Sequence, residues 1–228
     1  MNQTELLEET LILARKAGQA IMGIYEKDFN VEYKADESPV TDADLAAHKV
    51  IVTGLKQLTP DTPILSEESA DISWDIRQTW KSYWLVDPID GTKEFVEGMS
   101  NFVVSIGLVE DGKPILGVIH NPISKDTYTA INGGGVFFNG NQTTISKKTE
   151  FSQMSMLNSR SETRQGLWES YTPYFKKLIP IGSIALKLAM VAAHQTDMVA
   201  SLKPKNEWDI CAGHCLINEA GGKLLTIE

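Results

Sequence analysis

The sequence predicts a mixed α+β / α/β fold in two unequal parts. Residues 1–137 read as helices against a mostly antiparallel sheet, and residues 138–228 as a smaller alternating α/β unit. Three observations carry that expectation. Apolar side chains repeat at helical spacing through the first 26 residues. From Phe102 to Ile131 the chain runs as apolar strands broken at Asp111-Gly112 and Ser124-Lys125. Beyond residue 142, helical and strand-like segments alternate. With 228 residues, 42% hydrophobic and 22% charged, the chain can bury a sizeable core and lies far from disordered composition.

Taken in order, Leu6, Leu7, Leu11, Ala14, Ala17, Ile21, Met22 and Tyr25 define the apolar face of a helix over residues 4–26. A short strand is expected at Val31 to Tyr33. "SPVTDAD" then opens a second helix, where Thr41 and Asp44 stand at capping-box spacing; Asp44 falls in the first turn, where the helix dipole favours a carboxylate. "TPILSEES" is a buried strand ending in Glu67 and Glu68, and "SYWLVD" another ending at Asp87. "DPID" reads as a tight turn and "TKEFVEG" as a short helix after it. Three antiparallel strands follow to Ile131, and the Gly- and Asn-rich "NGGGVFFNGNQ" reads as a hinge between the two parts. The second part is expected to hold a helix from Arg164 to Leu178, another over "IALKLAMVAAHQ", a strand "TDMVASL" and a helix from Trp208 to Glu219, closed by Gly221 and Gly222.

The formal net charge of −9 argues against a nucleic-acid polymer or an anionic membrane as partner, because either requires a cationic face. Small phosphates remain open to an acidic protein when cations invert the local field. Charges interrupt the N-terminal 21 residues, so the reading is a cytoplasmic protein with no signal peptide or integral membrane span. Cys211 and Cys215, the two cysteines, cannot make a disulfide framework. His214 between them gives "CAGHC" the look of a zinc half-site, but a second ligand pair is missing and the segment reads as small helix positions. Trp74, Trp80 and Trp168 are the aromatics through which a homodimer could form.

The chemistry lies in the acids. Glu67, Asp87, Asp90 and Asp209 stand at the ends of predicted strands and helices, with Lys93 the one cation close in sequence, so their convergence requires cations among them. Oxygen donors without His or Cys select magnesium over zinc. Asp87 and Asp90 can aim at a common point with Asp87 bridging two ions, and the Ile89 carbonyl can add a ligand. Two metals about 4 Å apart activate water and stabilise a leaving oxygen in phosphoryl displacement. Gly91 and Thr92 open a helix whose N–H groups can face an anion, and the Thr92 hydroxyl can position the attacking water. An EF-hand fails, because Ile89 and Gly91 fall where acidic ligands belong. An aspartyl-phosphate mechanism on an Asp-x-Asp-Gly-Thr motif also fails, because Pro88 occupies the nucleophile's place; water is the expected nucleophile.

"WLVDPIDGTKEF" and "EWDICAGHCLINEAGG", with "SPVTDAD" and "ILSEE" before them, resemble the magnesium-dependent, lithium-sensitive inositol monophosphatase superfamily. The resemblance spans nearly the whole chain and implies a layered αβαβα sandwich of the sugar-phosphatase type, with the site between its halves. It further implies that Glu67, Asp87 and the Ile89 carbonyl hold one magnesium and that Asp87, Asp90 and Asp209 hold a second. A third, weaker ion is implied near Glu67, so the cofactor is two or three Mg2+. Asp44 and Thr92 resemble the pair that orients and deprotonates the water, with Glu67 counted among the catalytic acids.

Within the superfamily, "DGTKEF" is similar to the 3'(2'),5'-bisphosphate nucleotidases that convert adenosine 3',5'-bisphosphate to AMP, where simple inositol phosphatases tend to have Thr-Asn-Phe. "IALKLAMVAAHQTD" resembles their substrate segment, with Lys187 matching a basic residue that contacts the nucleotide's phosphate. Arg160 in "NSRSE" is a second cation for that role, although Glu162 stands where a histidine is expected. Glu67, Ile89, Asp90, Gly91, Thr92 and Asp209 complete the implied contacts to a small phosphorylated substrate. Inositol-1-monophosphatase or fructose-1,6-bisphosphatase activity, and non-catalytic binding of a phosphorylated metabolite, are the alternatives. The resemblance also implies further strands past "EAGGKLL", where this sequence stops at Glu228.

Overall fold

In the computed structural model the described residues are 2–26, 30–33 and 39–226; Ser38 of the "SPVTDAD" motif lies outside them. Helix α1 (Gln3–Tyr25) is capped by Asn2 and buries Leu13, Ala14, Ala17 and Ile21 on one face, as the apolar spacing requires. Strands β1 (Val31–Tyr33) and β2 (Pro39–Thr41) pair antiparallel and lead into α2 (Asp42–Leu58), which packs along α1. β3 (Ile64–Ser66), a single turn α3 (Trp74–Arg77) and β4 (Ser82–Asp90) follow, then α4 (Thr92–Val96). β5 (Val103–Glu110), β6 (Lys113–His120), β7 (Thr127–Ile131), β8 (Gly135–Phe138) and β9 (Asn141–Thr143) complete a sheet of order β3-β4-β5-β6-β7-β8-β9. β3 runs parallel to β4 and every other neighbouring pair is antiparallel.

Alternation divides this sheet cleanly. Trp84, Val86, Val104, Ile106, Leu108, Leu116 and Val118 face α1 and α2, while Leu85, Val103, Val109 and Ile119 face the opposite side. That opposite side is covered by the second part of the chain. There β10 (Ser155–Ser159), α5 (Arg160–Arg164), β11 (Lys177–Ile181), α6 (Ile184–Ala192), β12 (Met198–Val199) and α7 (Glu207–Glu219) form a parallel sheet of order β11-β10-β12. α6 and α7 pack on each other between the two sheets, and α5 adjoins β10 and β11, giving the layered α/β sandwich.

α7 sits close because the sheet beneath it is bare. Gly107 and Gly117 are cross-strand partners, and a Cβ on Gly117 would come within 2.5 Å of the Ala212 carbonyl oxygen. The cross-strand pair is a shallow seat that brings the N-terminus of α7, with Asp209, over the end of β4.

Four local expectations are corrected. "NGGGVFFNGNQ" is the β8–β9 hairpin, so the first sheet extends to Thr143. The helix expected over Arg164 to Leu178 ends at Arg164, followed by Gly166 at φ 74°, a 3-10 turn holding Pro173, and β11. Pro173 offers no N–H, and "KLIPI" gains a parallel ladder with β10 instead. "DPID" continues β4, with one extra residue against β5 between Asp87 and Asp90, so the bend is a β-bulge at a proline rather than a turn. Of the three tryptophans, Trp74 is 61% exposed, but Trp168 is 3% exposed and donates to Glu162 Oε2 at 2.9 Å. No helix among the described residues is long and apolar enough to cross a membrane.

Candidate active site

The acids arrive from four element ends. Asp44 lies in the first turn of α2, Glu67 in the 3-10 turn that follows β3, Asp87 and Asp90 at the end of β4, and Asp209 in the first turn of α7. Two of them are set by capping. Asp44 Oδ2 accepts from Thr41 N and Thr41 Oγ1, each at 2.7 Å, and Asp209 Oδ2 accepts from Asn206 N at 2.8 Å. A capping box therefore fixes a rotamer that would otherwise be free.

Asp44 Oδ1 faces the Thr92 hydroxyl at 3.3 Å, and Thr92 Oγ1 also lies 3.1 Å from the Ile89 carbonyl. One hydroxyl proton stands between two acceptors. Gly91 precedes Thr92 at φ 105°, the left-handed bend that starts α4.

The electrostatics are those of crowded, half-dry carboxylates. Burial, opposed by its bonds to Thr41 and assisted by Glu68 and Glu67, raises Asp44 to about 6. Burial and the Asp90 charge raise Asp209 to about 7. Asp87 is held well above the ordinary carboxylate range, first by burial and then by Glu67, Asp90, Asp209 and Asp44. Asp90 is raised by burial, against the hydrogen bonds it accepts from Ser183 and Ala185 and the nearby Lys187 charge. Asp87 Oδ1 is buried without a partner, and so is the hydroxyl of Ser105, its cross-strand neighbour on β5.

Among the described residues no three of His, Cys, Asp and Glu close around one point as they would around a held ion. The donor set nevertheless fits hard cations. It is all oxygen, Glu67, Asp90 and Asp209 raise the pKa of Asp87 among them, and one buried carboxylate oxygen is orphaned, a cost that a cation would remove. "CAGHC" is a different case: both cysteines are buried in α7, burial pushing Cys215 up to about 12 and Cys211 higher still.

The two cations named from sequence are already engaged. Lys187 is 3% exposed, donates to the carbonyls of Ile181 and Gly182 at 3.1 and 3.2 Å, and is lowered by burial to about 8. Arg160 holds Glu94 at 2.6 Å and Glu97 at 2.5 Å. Glu162, 1% exposed, accepts from Trp168 Nε1, Ser201 Oγ and the backbone N–H groups of Leu202 and Lys203, so the residue at the unexpected position ties down the loop that leads into α7.

Several supporting residues escaped sequence reasoning. Ser183 Oγ donates to Asp90 Oδ2 at 2.6 Å and Ala185 N donates to the same oxygen at 2.5 Å. His48, one turn after Asp44, bonds Ser66 Oγ at 2.8 Å and so pins the residue before Glu67. Gly-Ser ahead of the apolar run "IALKLAM" was the available signal for Ser183, as a helix cap. For His48 no local signal existed.

A profile of the inositol monophosphatase family matches residues 2–228. The chain is 42% identical over 226 residues to the 3'(2'),5'-bisphosphate nucleotidase CysQ of Salmonella typhimurium, covering 95% of this chain and 88% of that protein. Among solved structures, the extragenic suppressor protein suhB of Bartonella henselae superposes with a TM-score of 0.86 at 31% identity, over 96% of this chain and 86% of that one. CysQ of Bacteroides thetaiotaomicron superposes with 0.77 at 30% identity, over 95% and 87%. Backbone shape is thus shared across this family, and sequence identity is the finer discriminator.

Proposed function

The chain belongs to the inositol monophosphatase family and is a phosphatase, and from that premise we propose that it is a magnesium-dependent 3'(2'),5'-bisphosphate nucleotidase hydrolysing adenosine 3',5'-bisphosphate to AMP and phosphate. The observation that carries the substrate assignment is the 42% identity, over 95% of the chain, to a relative bearing that name. Magnesium ions, two or three, held by Glu67, Asp87, the Ile89 carbonyl, Asp90 and Asp209, would supply water activation and charge stabilisation at the leaving oxygen. The orphaned Asp87 Oδ1 supports that ligand set.

The residues then divide the work. Asp44, raised to about 6 and 3.3 Å from Thr92 Oγ1, takes the proton of the attacking water, and Thr92 orients that water. A base with a pKa near the working pH suits this step. The backbone N–H groups of Gly91 and Thr92 receive the phosphate oxygens. Attack forms the new P–O bond as the bond to the ribose oxygen breaks. For the second phosphate, Lys187 and Arg160 act through the segments they hold, because their own charges are engaged. Exposed Lys205, whose charge acts on both Asp209 and Lys187, is the cation we propose for the direct contact. The reading places the enzyme in the cytoplasm, with Trp74 the aromatic available for pairing two copies.

Comparing kcat/KM for adenosine 3',5'-bisphosphate, inositol 1-phosphate and fructose 1,6-bisphosphate tests the assignment. The nucleotide is expected to lead by at least about tenfold and all activity to vanish in chelator. A preference for inositol phosphate would retire the nucleotidase, and hydrolysis undiminished in chelator would retire the metal.

A further inference from the structure

The segment from Ile181 to Lys187 is built around one oxygen of Asp90. Ser183, at the N-terminus of α6, has φ 53° and ψ 114°, a backbone conformation that L-residues avoid. Helix capping does not call for it. Asn2, Thr41, Ser159 and Asn206 cap α1, α2, α5 and α7 with φ of −80°, −125°, −71° and −78°, the extended geometry in which a cap is ordinarily made. What separates Ser183 from them is a second bond that leaves its own helix: the Thr41 hydroxyl donates to Asp44 within its own cap, whereas Ser183 donates to Asp90 on β4. Its hydroxyl accepts from Leu186 N at 2.9 Å as a cap and donates its proton to Asp90 Oδ2 at 2.6 Å.

The surroundings hold the residue there from both sides. A Cβ on Gly182 would collide with the Glu94 carboxyl group, itself gripped by Arg160, so the backbone passes directly over that side chain. Lys187 Nζ reaches back to the carbonyls of Ile181 and Gly182. Ala185 N adds the second donor to Asp90 Oδ2.

We infer that Ser183 is a positioning residue for the hydrolytic site, locking Asp90 through Oδ2 so that one carboxylate rotamer is presented to the cations. The inference rests on the reading above that Asp90 is a metal ligand. It assigns to the second part of the chain a share in assembling a centre whose ligands come mostly from the first.

Ser183→Gly is the discriminating variant, because glycine takes a positive φ freely, so the loss of the hydroxyl and its Cβ leaves no backbone strain. Ser183→Ala, which keeps the Cβ, runs beside it in case either variant folds poorly. The readouts are Mg2+ titration calorimetry on the metal-free proteins, the Mg2+ midpoint for activation, and the metal-free Tm. S183G is expected to keep its Tm within a few degrees while Mg2+ affinity and the activation midpoint weaken by about tenfold or more, with kcat largely recovered at saturating Mg2+. In an Asp90→Asn background the same substitution should leave the residual Mg2+ affinity unchanged. Mg2+ affinity equal to wild type in both Ser183 variants would overturn the inference and leave Ser183 a helix cap. A wild-type protein that binds no Mg2+ would overturn the metal reading along with it.

Discussion

At the scale of single residues, the site is a set of carboxylates held in forms they would not choose in water. Asp44 and Asp209, at about 6 and 7, both lie above the ordinary aspartate value of 3.8. The folded protein therefore keeps protons that the unfolded chain releases first, and without metal its stability falls as pH rises from about 4 through 7. The slope is on the order of 1.4 kcal/mol for each pH unit separating the folded and unfolded values of a group. Thermal unfolding in chelator at pH 5 and pH 8 should show this fall in the wild type and a smaller one in Asp209→Asn, whose amide keeps the cap without the charge; Mg2+ at pH 8 should reverse it more fully in the wild type than in the variant. The site acids are legible in sequence because each stands at a readable element boundary, Glu67 and Asp87 where apolar runs stop and Asp209 in the first turn of a helix. Ser183, Ser105 and His48 are not, since their partners lie 93, 18 and 18 residues away and only folding brings them together or opposes them.

At the scale of elements, the decisive contact is the one between α7 and the bare strip of the sheet at Gly107 and Gly117. Adding a methyl at Gly117 presses on the Ala212 backbone carbonyl, which cannot rotate away, so α7 must lift and carry Asp209 with it. Gly117→Ala is expected to cost about 1–3 kcal/mol in denaturant unfolding and to weaken Mg2+ activation. Gly23→Ala on the exposed face of α1, where a Cβ meets nothing within 4 Å, should instead stabilise by about 0.5–1 kcal/mol and leave activation unchanged. α1, α2, α6, α7 and the central meander were readable because their apolar periods are long and unbroken. The 164–178 stretch was not: Leu167, Trp168, Tyr171 and Phe175 imitate a helical face, while Gly166 and Pro173 deny it the backbone. The β4 bulge reads as a turn in sequence because proline serves both.

At the scale of the whole molecule, the two parts are joined at the site by an ion pair as well as by α7. Glu94 on α4 and Arg160 on α5 meet at 2.6 Å with side chains 6% and 13% exposed, so "TKEF" and "NSRSE", two motifs that set this chain apart within its family resemblance, are halves of one contact. Arg160→Met strands Glu94 in a dry place. We expect a loss of about 3–5 kcal/mol in chemical denaturation, with a further drop in kcat/KM, because the Gly182-Ser183 bend lies directly on the Glu94 side chain. The capping boxes at Asp44 and Asp209 have a consequence for ancestry. Each acid begins a helix, so natural selection for a folded chain protects it even in a lineage that has abandoned catalysis. Asp87 has no such protection. Its orphaned oxygen makes it a burden on folding once no cation is bound, and a descendant freed from its chemistry should discard Asp87 first and keep Asp44 and Asp209 longest.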